Sequence, residues 1–342
     1  MRSGQFGSSE IVNPAKLTPA RRDSVCAQCH LAGEVRVSRA GRDPRSFRPG
    51  ELLSDYQIAF VRRDAPPGIK VNSHVEKLAQ SACRRASGDR LWCGSCHDPH
   101  SVPDASHRVA WFRDKCLACH PSGQCSESSA ARMNRGDDCA ACHMPRSGVT
   151  DVEHAVYTDH SIPRHPRRAA VVAAARAADL VPFGGGAVST RDLALAFALL
   201  PLKDAHDQAR ATELLRKAQA EAPDDPQILL HLADSYNRAS DQAHAAPLYE
   251  QVLHADPAQV AAEVNVANAL ANRGEIREAM RLWKEALSRS PGLEVVRMNL
   301  ALAQVRAGDL AGAQSTLTKA LELNPGLATA RVLLDEVRGR SR

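Results

Sequence analysis

The chain has 342 residues, enough for two ordinary domains, and carries 44 Lys+Arg against 39 Asp+Glu for a net charge of +5. That excess is too small, and too poorly interleaved with aromatics, for a nucleic-acid binder, and no apolar run approaches the ~20 residues that cross a membrane as a helix. Aromatic residues are only 4% of the chain, so a core must be built from Ala, Leu and Val or filled by something other than side chains.

The two halves differ. All ten cysteines lie between Cys26 and Cys142. Residues 1–165 hold 23 Lys+Arg and 18 Asp+Glu, whereas the remainder is neutral. In chain order, Cys26/Cys29, Cys93/Cys96, Cys116/Cys119 and Cys139/Cys142 form Cys-x-x-Cys pairs, followed at once by His30, His97, His120 and His143. Zinc can use paired cysteines in Cys₄ sites. It does not require a histidine after every pair, and these pairs are unevenly spaced. Disulfides within each pair ignore the histidines as well. The pattern is the attachment signature of c-type haem: two thiols add to the porphyrin vinyls, and the adjacent imidazole reaches the iron as proximal ligand. Four covalent haems are therefore expected in residues 1–165, with short helices carrying the motifs and loops such as 31–72 wrapping the rings. Arg36, Arg39, Arg42, Arg45, Arg48, Arg62 and Arg63 are candidates to offset the propionates, although a solvated basic loop explains any single one of them better.

A histidine in the sixth position makes an electron-transfer centre, and an empty position admits a substrate. Six histidines of this half lie outside the motifs: His74, His100, His107, His154, His160 and His165. His100, in CGSCHDPH, follows His97 too closely to round its own haem, so its target is a neighbouring ring. His154 and His160, in HAVYTDH, follow the last motif and can reach back. His74, in NSHVEKL, precedes the second motif on an expected helix. His107 and His165 read as surface residues. Met144 cannot turn to the far face of the haem of His143, and Met133 is a weak candidate. Cys83 and Cys125 are left over and are expected to pair as a disulfide, because haem attachment takes place in an oxidising compartment.

An Ala-rich and Gly-rich linker is read over 166–190, with Gly184, Gly185 and Gly186 as a joint. Beyond it, Pro223, Pro257, Pro291 and Pro325 recur at one constant interval. Ala211, Ala245, Ala279 and Ala313 keep the same interval, as does the column Ala218, Val252, Ala286 and Ala320. Leu215, Tyr249, Trp283 and Leu317 fill one equivalent bulky position. This period resembles that of the tetratricopeptide repeat, a helix–turn–helix unit of about 34 residues. It predicts a solenoid over 191–342 of about four repeats with a concave face. Asn237, Arg238, Asn268, Asn272 and Arg306 fall where the groove is expected, or are simply a solvated helix face.

The run SACRRASGDRLWCGSCHDPH, then CLACH, DCAACHMP and VEHAVYTDHSIPR, resembles bacterial multihaem cytochromes with C-terminal tetratricopeptide repeats. The haem part is similar to the tetrahaem carriers and octahaem enzymes of the hydroxylamine oxidoreductase superfamily. The resemblance favours His74, His100, His154 and His160 as distal ligands. It implies a mainly α architecture: a loop-rich tetrahaem domain over 1–165 and the repeat solenoid. It also implies maturation in the periplasm or outside the cell. Members often carry further haem motifs upstream, and MRSGQFGSSE lacks the charged-then-apolar pattern of an export signal. The start is therefore expected to be misassigned or a leader removed. The expected function is electron transfer, with the repeats docking a redox protein. The alternative is a multihaem oxidoreductase of a small nitrogen or sulfur compound, or a subunit of one, with one open haem site. A third reading is a scaffold in which the haems are structural or sensory.

Overall fold

A computed structural model describes residues 11–63, 70–121, 125–149, 151–164, 179–201 and 204–340. His165 and the Ala-rich part of the linker lie outside these residues. The chain divides into two compact units, Met1–His206 and Asp207–Arg342.

The first unit opens on helix α1 (Pro19–His30), with proline at its first position, where no backbone N–H is needed. Strand β1 (Val35–Ser38) alternates buried Val35 and Val37 with half-buried Arg36 and Ser38, as a strand with one covered face does. Strand β2 (Gln57–Arg62) instead buries Ile58, Ala59 and Phe60 in succession, which fits a central strand covered on both faces. Short helices follow: α2 (His74–Gln80), α3 (Ala82–Ser87), α4 (Cys93–Cys96), α5 (Arg108–Leu117), α6 (Ser129–Met133) and α7 (Cys139–His143). Then come the hairpin strands β3 (Arg146–Gly148) and β4 (Val156–Thr158), strand β5 (Leu180–Pro182) and helix α8 (Thr190–Leu199). The sheet is antiparallel in the order β1-β2-β5, with Val35 opposite Phe60 and Phe60 opposite Pro182. Helix α8, capped by the Ser189 hydroxyl, buries Ala194 to Ala198 without a break. It packs on β1 and β5, and the buried Asp192 carboxylate meets Arg39 at 2.9 Å.

Three expectations change here. Segment 31–72 is not all loop, because it supplies β1 and β2. Residues 180–182 of the supposed linker form an edge strand, and Gly184 to Gly186 leave it with φ of +84°, +80° and +104°, where glycine pays no Cβ penalty. Helix α8 belongs to the first unit rather than to the repeats. Arg and Pro along 31–72 hid β1 and β2, and both β5 and α8 reach their places only through partners far away in sequence, β2 and β1.

The second unit is helical: α9 (Ala205–Glu221), α10 (Pro226–Arg238), α11 (Gln242–Ala255), α12 (Val260–Asn272), α13 (Ile276–Arg289), α14 (Glu294–Arg306), α15 (Leu310–Leu323) and α16 (Ala328–Arg340). From α10 onward each helix packs on the next. The periodic columns are the core: Ala211, Ala245, Ala279 and Ala313 are buried, and so are Leu215, Tyr249, Trp283 and Leu317. The alanines let paired helices approach, and the bulky residues fill the space between pairs. Gly274 and Gly308 occupy left-handed turns at φ of +86° and +80°, and Asp225, Asp241 and Asp309 cap the helices that follow them. The α-helical repeat solenoid is thus the architecture of this unit.

Candidate functional site

Each Cys-x-x-Cys-His motif closes as a helical turn. Cys26, Cys29 and His30 end α1, and Cys139, Cys142 and His143 make up α7. The His97 N–H donates to Cys93 O at 2.9 Å, and the His120 N–H to Cys116 O at 2.9 Å. At ~100° per residue, positions i, i+3 and i+4 share one helix face. Both thiols and the imidazole of a motif therefore face the same side, as attachment of one planar group requires. Successive motifs are neighbours. The Cys93 thiol hydrogen-bonds Cys26, α4 packs on α5, and α5 packs on α7.

The first two motifs share a histidine cluster. The His74 ring, at the start of α2, lies 4.7 Å from His30 and 4.7 Å from His160. His160 in turn lies 6.2 Å from His97. Two proximal candidates and two distal candidates are thereby brought together. The His160 Nδ1–H donates to Thr158 O at 2.7 Å, and the His143 Nδ1–H donates to Pro163 O at 2.9 Å. That bond fixes the tautomer and leaves Nε2 as a lone-pair donor, the usual outer-shell arrangement of a metal-binding histidine. Among the described residues, Nδ1 of His74 and Oε2 of Glu76 are buried without a hydrogen-bond partner.

Partial burial favours the neutral form of His74, His97 and His160. Desolvation, followed by the charges of His160, His30 and His97, lowers the pKa of His74 to about 4. Desolvation also lowers His97 and His160. The neutral ring is the form that binds metal. Among the thiols, the hydrogen bond from Cys93 brings Cys26 down to about 7, while burial pushes Cys116 up to about 11. Beside α1, a cavity of about 310 Å³ is lined by apolar Ala27, Leu31, Val75 and Trp92 and by charged Asp23 and Arg84.

Other expected site residues stand apart. His100 is exposed, with its backbone N–H on Asp98 at 2.9 Å, and its ring makes none of the cluster's contacts. His154 is exposed at φ +60°. His107 is exposed and hydrogen-bonds Asp104. The expected Cys83–Cys125 disulfide is not formed: both thiols are free, and α3 turns Cys83 toward His120, with Sγ 3.9 Å from Nε2. Several propionate candidates are already engaged. Arg36 donates to Gln28 O at 3.0 Å, Arg39 pairs with Asp192, and Arg45 pairs with Asp43. Sequence reasoning overlooked Tyr157, whose ring sits 4.6 Å from His74 and 5.7 Å from His160. A lone aromatic between two histidines, in a segment otherwise poor in aromatics, was the available signal.

In the repeat unit, Asn268 does not face a groove as a free amide. Its Oδ1 accepts from Trp283 Nε1–H at 3.1 Å and from Asn299 Nδ2 at 3.3 Å. One repeat earlier, Asp234 Oδ1 accepts from the Tyr249 hydroxyl at 2.7 Å and from Asn265 Nδ2 at 3.4 Å. The two triads occupy equivalent positions one repeat apart, so a polar ladder joins successive repeats. Asn272, Arg238 and Arg306 remain exposed.

No protein-family model and no curated protein sequence matches the chain. Solved structures that resemble it include MamA, 18% identical over 41% of this chain and 86% of that one, with a TM-score of 0.37. YrrB, described as a TPR protein with an unusual peptide-binding site, is 15% identical over 44% of this chain and 76% of that one, at 0.40. A tetratricopeptide repeat protein from Parabacteroides merdae is 21% identical over 39% of this chain and 55% of that one, at 0.36. The class of the second unit is an α-helical repeat solenoid. It rests on this chain's own register: paired helices, buried alanine columns and a polar ladder, all repeating with one period. No helix among the described residues is long and apolar enough to cross a membrane.

Proposed function

We propose that the first unit is a tetrahaem c-type cytochrome that transfers electrons, and that the repeat unit docks its redox partner. The observation that carries this reading is a missing side-chain core. Among the described residues between Phe60 and Leu180, Tyr157 is the only buried apolar side chain, yet three of the four motifs lie there. Four thiol pairs with an adjacent imidazole, and half-buried histidines gathered beside orphaned polar atoms, suit a core completed by haem.

In this reading Cys26, Cys29, Cys93, Cys96, Cys116, Cys119, Cys139 and Cys142 hold the haems, and His30, His97, His120 and His143 are the proximal ligands. His74 and His160 are the best-placed distal ligands. His100 and His154 remain candidates on sequence grounds. When bound, haem supplies one-electron redox chemistry. The protein contributes ligand identity, burial and hydrogen bonds that set basicity, such as the Thr158 carbonyl on His160. The adjacency of successive motifs supports a linear path. Maturation belongs outside the cytoplasmic membrane, in the periplasm or beyond.

EPR of the matured protein tests this. Low-spin signals from every haem are expected. A dominant high-spin signal that shifts with cyanide or nitrite would move the assignment to an oxidoreductase, and a chain matured without haem would end the reading.

A further inference from the structure

The repeats provide their own internal control. At the position of Asp234 and Asn268, which anchor the polar ladder, the next repeat carries Leu302. The aromatic partners Tyr249 and Trp283 give way there to Leu317, so no hydrogen bond demands a polar residue. Leu302 is nevertheless 42% exposed, and Val295 on the same helix is 72% exposed. Val295, Met298, Leu302 and Arg306 follow i, i+3, i+7 and i+11 and so share one stripe of α14. Met298 is held by the buried cluster beneath.

At the end of that stripe, Arg306 lines an open cavity of about 550 Å³ with Ile276 and Arg277. The acidic residues of its wall are already used: Glu275 pairs with Arg273 at 2.9 Å, and Glu278 pairs with Arg281 at 2.5 Å. Neither Arg277 nor Arg306 has an acidic partner among the described residues. Guanidinium groups take carboxylates in a bidentate fork, and exposed apolar side chains beside them favour a partner that buries both.

We infer that α14 and the start of α13 form a docking site for a peptide segment of a partner protein. One carboxylate of that segment sits between Arg277 and Arg306, and its apolar side chains cover Leu302 and Val295. This rests on the reading of the repeats as a docking unit and names its ligand chemistry. The partner is acidic and apolar at once, and the site does not involve the haem motifs.

A short random peptide library selected on the full-length, matured protein tests it, with the best binder labelled and titrated by fluorescence anisotropy. Selected sequences are expected to combine Leu, Ile, Val or Phe with Asp or Glu. Affinity is expected to fall at least about tenfold in Arg277→Gln/Arg306→Gln and in Leu302→Asp, and to weaken with added salt. Arg281→Gln, which alters an already paired arginine, leaves binding unchanged, and circular dichroism melts confirm that each variant folds. Binders without acidic residues, or binding indifferent to these variants, would overturn the site while leaving the repeats a docking unit. Failure to select any binder would overturn both. Self-association that Leu302→Asp abolishes would assign the face to a second copy and overturn the peptide assignment.

Discussion

The two units solve the problem of a core in opposite ways. The repeat unit fills every layer with its own side chains, and its half-buried polar groups find partners in the ladder of Asp234, Asn265, Asn268 and Asn299. The first unit has a small sheet-and-helix core at its ends, and between them a stretch of motifs with, among the described residues, a single buried apolar side chain. Among the described residues, the buried side-chain atoms without partners on His74, Glu76 and Arg132 all belong to this unit. Buried polar groups without partners are costly, so the contrast is between a unit whose core closes on its own side chains and one whose motif stretch leaves such atoms unsatisfied, as the proposed haem-filled core would.

The largest effect expected is on the first unit alone. Cys93→Ala/Cys96→Ala is predicted to leave about three quarters of the pyridine haemochrome absorbance and to make residues near the second motif sensitive to protease. The melting of the repeat unit should not move. Trp283→Ala is the reciprocal change, predicted to cost about 3–5 kcal/mol by opening a cavity between repeats, with haem content intact in chemical denaturation followed by absorbance. A shared loss in either variant would break the comparison. Asn268→Ala leaves the Trp283 N–H and the Asn299 amide without their acceptor, and is predicted to cost about 1–2 kcal/mol in a urea titration. Within the first unit, His160→Ala is expected to turn one haem high-spin by EPR. His100→Ala, whose ring lies outside the cluster, is expected to leave the cluster's signals unchanged.

The smallest effect is a pH dependence in the repeats. Burial raises the Asp234 carboxyl, but hydrogen bonds from His231 and Tyr249 outweigh it, so its pKa falls below the usual 3.8. The unfolded chain then binds the proton first as pH drops. Stability from this contact is complete above about pH 4 and is lost as pH falls through the folded pKa. Asp234→Asn should flatten the acid limb of a stability–pH curve and leave its neutral plateau nearly in place.

Much of the repeat unit was legible in sequence, because a strict period exposes every structural position several times. What the period concealed was role: Asn268 looked like a groove residue, and only the position of Trp283 shows that it is an acceptor in the ladder. In the first unit the motifs themselves stand out in the sequence, since His30 and His97 follow their cysteine pairs directly. The gathering of His74 and His160 around them depends on α2 and on the β3–β4 hairpin, which bring together residues far apart in the chain. Strand β5 was illegible for the same reason: three residues pair with β2 across more than half the unit. The Cys83–Cys125 disulfide was inferred by pairing leftovers, and no local signal indicated that α3 turns Cys83 toward His120.

The intact mass of the matured chain, taken with a count of thiols that react with iodoacetamide, tests the central claim most directly. The account predicts a mass increase of four haems with the eight motif cysteines unreactive. A chain at its bare polypeptide mass with all ten thiols open to alkylation would contradict it.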